Sequence, residues 1–419
     1  MFSFNVGDGY AEAIVRGYKQ GFLTTAQYAQ LCQCSGLDEL CTQLMATDYH
    51  DVLQEGGAGG KGARGSACSP AQLASRLQTQ LVQQFRYVQS VASPALAAFL
   101  EHIALGYMID NVVLLLGGAL RSFSDATKTG AATPAPDGAG SFHEQAEALL
   151  ARCHPLGFFE TMPALLVATS IDEIYSTVLV ESPLAGYFRA CLGADALDDL
   201  HIELIRNQLW RAHLEAFHRY CQDAPSVNAA TRALMQGLLA FEADRRTISI
   251  AVNACGSERL ARDERLALFP RFGTLWDAGV APRLAQAEDV EQVRAVLDAF
   301  PAFRMLLCDW ARPADAGAGA SLAGSTSTAS YELPPNAALT RRERPKLGAA
   351  PVPEPRTLEE HFFEHEVALC KDTFDVQFSF ACFYGWTRLK EQEIRNVVWI
   401  AECIAQQQRQ NIHNYIPLF

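Results

Sequence analysis

The chain has 419 residues, 49% of them hydrophobic, which provides roughly two to four core units and excludes a disordered polymer. A formal charge of −13 argues against a nucleic-acid partner and against simple adsorption to anionic lipid, since both need clustered Lys and Arg. Twelve cysteines are scattered along it, and MFSFNVGDGYAEAI has no basic end, apolar run or small-residue cleavage site, so reduced cytosolic thiols are expected.

From the start the text is helical in period, with few alternating β-branched runs. Cys32 and Cys34 form C-x-C, with Cys41 following; structural zinc sites pair two C-x₂₋₄-C knuckles, and with no second knuckle these read as buried thiols. Glu55–Pro70, "EGGAGGKGARGSACSP", is a Gly/Ser-rich insertion. Its Gly60-Lys61 does not make a P-loop: Glu55 stands at the first Gly position and Gly62 where Ser or Thr must meet magnesium. "IALGYMIDNVVLLLGGAL" is the most apolar stretch, yet Asp110 and Asn111 interrupt it and only nine residues follow, against about 20 needed to span a bilayer. Ser122–Ser141 is small, polar and proline-containing, and reads as a second insertion.

Beyond it, "RCHP" sets Cys153 beside His154, but adjacent residues seldom form a Cys–His catalytic pair and Pro155 marks a turn. The longest loose segment runs from about 311 to 356 and is expected to be largely disordered; its basic "RRERPK" (Arg341–Lys346) is a candidate regulator contact. "HFFEH" matches the inverted zincin pattern, with His361 and His365 as ligands and Glu364 as base. No third ligand is specified, and the bland alternative is an amphipathic helix buried through Phe362, Phe363, Val367 and Leu369. A zinc hydrolase is therefore the third reading. Whether Cys34 pairs with Cys370 stays open; a Cα separation beyond about 7 Å excludes a bridge.

Three stretches look alike, starting at Cys34, Ala168 and Ala287, with apolar pairs Leu37/Leu40, Ile171/Ile174 and Val290/Val293. In each an acidic residue later enters a dense apolar helix, at Asp110, Asp244 and Glu393. Seventy-three residues separate Leu37 from Asp110 and 73 separate Ile171 from Asp244, while the third interval, 103, contains the long insertion. The expectation is an all-α fold of three related helical units in pseudo-three-fold repeat: 1–121, 142–255 and 256–419, with insertions at about 55–70, 122–141 and about 311–356. The last apolar helix, "KEQEIRNVVWIAECIAQ", places Val397, Val398, Ala401, Ile404 and Ala405 within about 80° of Ile394, and its opposite side carries Trp399, Ile400 and Cys403. Glu391, Arg395 and Glu402 form a narrow polar strip, and Glu391 four residues before Arg395 is the favourable order for a helical ion pair. This reads as structural rather than catalytic.

"RCHPLGFFETMPALLVATS", "LLAFEADRRTISIAVN", "GYMIDNVVLLLGGAL", "KEQEIRNVVWIAECIAQ" and the terminal "NYIPLF" closely resemble the subunit d family of vacuolar-type proton ATPases. The resemblance runs from "FNVGDGYAEAIVRGYKQGFLT" to Phe419 and skips the three insertions. It implies a funnel-shaped helical subunit, related to the C-like family of archaeal-type ATPases, at the cytosolic end of the membrane rotor ring of vacuolar and other endomembrane compartments. Implied partners are the proteolipid ring, the central stalk and other membrane-sector subunits, with membrane contact only through the ring. It implies no cofactor, no metal and no catalytic residue. The runner-up is a free-standing helical adaptor whose concave face holds another partner.

Overall fold

The computed structural model describes residues 2–58, 69–129, 147–167, 182–191, 202–255, 260–308 and 357–419. Among them every regular element is helical and no strand is present, as the periodicity led one to expect. Seven long helices position the interior: α1 (Gly9–Gln20), α2 (Pro70–Val91), α3 (Pro94–Thr129), α4 (Ile202–Asp223), α5 (Ala229–Ala254), α6 (Leu358–Asp372) and α7 (Ala381–Ala405). Short helices connect them, the longest run of these being Arg262–Leu268, Thr274–Asp277, Ala281–Gln286, Val290–Leu297 and Pro301–Cys308.

The helices begin where local chemistry sets them. Ser69 and Thr357 open α2 and α6 with reciprocal capping boxes to Gln72 and Glu360, and Pro70 supplies the fixed φ of a first helical position. Asn228 accepts the Thr231 N–H at 2.8 Å at the head of α5. Helix α7 is the centre of the molecule. It packs against α1, α2 and α6 and touches α3 and α5. Because it has neighbours on every side, it is buried nearly all round, polar residues included, with Trp386 fully buried between Phe85 and Tyr18 at ring separations of 6.5 and 5.5 Å.

A second, smaller core gathers Leu275, Leu284, Val293 and Leu297 of the short helices around Ile248 of α5 and Phe362 of α6. The backbone comes closest at Gly157, where an added Cβ meets the Tyr107 carbonyl at 2.5 Å, so only glycine lets the 155–157 turn lie against α3.

The long apolar stretch of α3, Pro94–Gly118, has the length and composition of a membrane span, but 78% of its most apolar window is buried within the protein. Asp110 and Asn111, which interrupt it, are both interior. α3 continues to Thr129, into the segment read from sequence as an insertion, and the helix His50–Ala58 enters the first Gly-rich segment. Gly60, Lys61, Ile171, Ile174, the 311–356 segment and Arg341–Lys346 lie outside the described residues. On α7 the helical-wheel reading holds for Ile394, Val397, Val398, Ala401 and Ile404, all buried. It fails for Ala405, which is exposed because it is the last residue of the helix and projects past the neighbouring elements.

Candidate functional site

Two clusters of buried charge lie along α7. In the first, Lys390 donates to Glu393 at 2.7 Å with the two side chains 2% and 0% exposed. Glu393 also accepts the Tyr49 hydroxyl and the Leu23 N–H, both at 2.6 Å, so its two oxygens serve three donors. The Lys390 ammonium sits 4.2 Å from the centroid of Tyr49, a cation–π contact that shields the rest of its charge. Leaving water costs each of these charges several kcal/mol, about the amount that pairing plus full hydrogen bonding returns.

The second cluster joins five helices. Glu242 of α5 receives Arg245 at 2.7 Å and Arg246 at 2.8 Å. The Arg246 guanidinium lies 3.8 Å over Trp210 of α4, whose indole N–H donates to Asp110 of α3 at 3.1 Å. On the other side Arg388 of α7 pairs with Glu391 at 3.0 Å and Glu366 of α6 at 3.5 Å, and Glu391 accepts the Tyr107 hydroxyl of α3 in a short bond. Burial pushes the Glu242 carboxyl up, but Arg245 and Arg246 outweigh it and hold it down at about 2. Burial raises Glu366 despite Arg388, and raises Asp110 to about 7 against the pull of Arg206 and Arg246.

The expected Glu391–Arg395 pair is not formed. Glu391 turns to Arg388 and Tyr107, while Arg395 donates to Gln392 and stacks its guanidinium 3.9 Å over Phe363. The reason is burial. Glu391 is interior, and the donors that can follow it there sit one turn earlier on α7 and on α3, whereas Arg395 faces a half-buried aromatic surface. Glu402 is half-buried, and burial raises its carboxyl.

Two of the recurring acids, Asp244 and Glu393, each anchor backbone from another part of the sequence, whereas Asp110 accepts the Trp210 indole N–H and its neighbour Asn111 does the anchoring. Asp244 accepts the N–H groups of Thr274 and Leu275 at 2.9 and 3.0 Å, capping the helix that begins there. Glu393 takes the Leu23 N–H just before the helix Thr25–Gln33. Beside Asp110, Asn111 exchanges two bonds with the His154 backbone at 2.7 and 2.9 Å. Sequence reasoning singled out these acids without their partners. It missed Glu242 with Arg245 and Arg246, which the text "FEADRR" signals by putting two arginines three and four residues after an acid in an apolar helix.

The other candidates are not assembled into sites. His361 is buried with Nδ1 3.8 Å from Glu364, while His365 packs on Phe241 at 4.7 Å, where burial lowers its pKa. Among the described residues no cluster of three or more His, Cys, Asp or Glu side chains is placed to hold a metal ion. Cys32 and Cys34 are buried thiols donating to the Ile412 and Gln30 carbonyls; Cys34 and Cys370 are not bridged to each other. Cys153 is pushed up to about 12 and His154 down to about 3 by burial, so neither is in the ionised form that a thiolate–imidazolium pair requires. His154 stacks on Tyr107 at 4.1 Å, and its Nδ1 accepts the Leu156 N–H.

The geometry defines a class of protein: an all-helical body whose long helices are joined through one connected interior network, with the Arg388–Glu366 ion pair, the Tyr107–Glu391 and Trp210–Asp110 hydrogen bonds and the Arg246–Trp210 contact running between helices. The family profile described as ATP synthase (C/AC39) subunit matches residues 11–415. V-type proton ATPase subunit d of Neurospora crassa is 38% identical over 418 residues, covering 99% of each chain. The subunit d of Dictyostelium discoideum is 35% identical over all of this chain and 97% of its own, and that of Saccharomyces cerevisiae is 34% identical over 99% of each. The chain belongs to the subunit d family of V-type proton ATPases, within the C/AC39 group.

Proposed function

We propose that this protein is the non-catalytic coupling subunit between the central stalk and the proteolipid ring of a V-type proton ATPase, on the cytosolic face of acidifying compartments. The observation that carries this is similarity to subunit d proteins along the whole length of both partners. In this reading ATP hydrolysis in other subunits turns the stalk, this subunit passes the torque on, and the ring moves protons. Such a part needs stiffness and two broad interfaces, not a nucleophile. The interior contacts between helices suit that demand: Arg388 of α7 pairs with Glu366 of α6, Tyr107 of α3 donates to Glu391 of α7 and Trp210 of α4 donates to Asp110 of α3, so shearing one long helix against another would break polar contacts in a medium of low polarity, where that is expensive. The three sequence units arranged as a pseudo-three-fold funnel belong to the same proposal. The anchoring of chain segments by Asp244, Glu393 and the Asp110–Asn111 pair supports it, as each lies at a comparable place in its unit.

The test is to tag the protein, solubilise membranes gently and identify stoichiometric partners. Recovery of ring and stalk subunits is the expected result. A monomer in the soluble fraction with no such partners would leave only a shared fold and favour the free-standing adaptor.

A further inference from the structure

Where α3, α4 and α7 converge, a small, partly open cavity of about 20 Å³ is lined by His102, Asp110, Trp210, His213, Tyr384 and Arg388. That volume accommodates one water molecule. Three buried polar atoms in its wall have no protein partner: Asp110 Oδ2, His213 Nδ1 and His102 Nδ1. His102, Gly106 and Asp110 follow at intervals of four residues along α3 and so share one face. The space exists because the middle position is glycine. A Cβ there would stand 3.1 Å from the Trp210 ring and 3.8 Å from the His213 imidazole. Unpaired polar atoms this deep are costly, and a water with two or more polar neighbours is the usual remedy.

We propose that this chamber is a water- and proton-binding site, in which one water bridges Asp110 Oδ2 to the His213 imidazole and the exchangeable proton resides on Asp110. Both histidines are neutral near pH 7, since burial lowers His102 to about 4 and His213 to about 3. A neutral carboxylic acid supplies an O–H that the water or an imidazole nitrogen accepts, which a carboxylate cannot do. The carboxylate is the form favoured by the surrounding cations: Arg206 from α4, Arg246 from α5 and Arg388 from α7. Glu242 and Glu391 absorb part of that positive charge, Tyr107 donates its hydroxyl to Glu391, and burial keeps Tyr384 protonated. Burial is the largest influence on Asp110 and raises it to about 7, so the proton is exchanged close to neutrality.

For a carboxyl raised on folding, the contribution to stability is greatest below the unfolded value and is withdrawn as pH climbs towards the folded one. Asp110→Asn imitates the protonated acid, keeps an acceptor for Trp210 and abolishes the titration. The ratio of the unfolding constants of wild type and D110N should therefore rise about tenfold per pH unit between about pH 5 and 6.5, as expected for one proton, and level off above about 7. A ratio independent of pH overturns the proposal. If D110N does not fold, wild-type protein labelled with ¹³C at aspartate carboxyls serves instead. An infrared band from protonated aspartate that remains at pH 7, where Asp244, raised by burial to about 6, has mostly ionised, and that vanishes by about pH 8.5 is expected, and its absence at pH 7 refutes the site. A high-resolution crystal structure should place the water between Asp110 and His213, and a dry chamber there would overturn the bridge.

Discussion

Replacing Glu393 by Gln removes a single charge from the best-enclosed ion pair in the molecule. The amide has the shape of the acid and retains one carbonyl acceptor, so either the Leu23 N–H or the Tyr49 hydroxyl remains satisfied. What it cannot do is balance Lys390, which is 2% exposed and then stands uncompensated beside the Tyr49 ring. Removing one partner of a buried pair costs about 3–5 kcal/mol, a large part of the roughly 5–15 kcal/mol by which a domain is stable. Urea unfolding of E393Q, K390M and the double variant measures both the cost and its origin. Each single change should be strongly destabilising, and the double variant should recover about 2 kcal/mol or more of the summed losses, since neither charge is then left alone. Additive losses, or a penalty for E393Q below about 1 kcal/mol, would show that water reaches the pair and that burial does not set its energy.

Other outcomes follow from particular contacts. Gln407 is exposed at φ 58° just past the end of α7, so Gln407→Gly should raise stability by about 0.5–1 kcal/mol in the same denaturation assay. Gly273 has φ 107°, and a Cβ there would lie 2.8 Å from the Asp244 carboxylate; Gly273→Ala should cost about 1–3 kcal/mol and speed amide exchange at Thr274 and Leu275, which Asp244 now holds. Deleting residues 317–349 should leave association with ring and stalk subunits intact by co-purification, and loss of the complex would place that segment at an interface.

The helical class and the buried face of α7 were readable because a 3.6-residue period is written into contiguous text, as in Ile394, Val397, Val398 and Ala401. The acids at Asp110, Asp244 and Glu393 were also visible, as interruptions of apolar runs. Their partners were not. The Tyr107 hydroxyl that Glu391 receives is 284 residues away in the chain, and a helical wheel weighs only neighbours on its own helix, which is why it assigned Arg395. Ion-pair choice in an interior is decided by which donors share the enclosed space, and that depends on packing between helices. Short motifs carried less: the spacing of His361, Glu364 and His365 matches a metal site, yet the preferred reading is an amphipathic helix, and in the fold His365 packs on the Phe241 ring.

The two ends of the chain are interlocked. Besides the Leu23–Glu393 bond, Arg16 donates to the Phe374 and Val376 carbonyls at 2.7 Å, Glu12 accepts the Phe378 N–H at 3.0 Å, and Asn396 donates to Tyr28 at 3.2 Å. During synthesis residues 12–49 must therefore wait for residues 374–396. At about 5–20 residues per second that is an interval of roughly 20–70 s in which Leu23 and Tyr49 lack their acceptor. Completion of the fold waits for α7, and chains arrested before residue 374 should remain protease-sensitive at their N-terminal helices; protection at that length would mean that the early helices find a stable arrangement without α7.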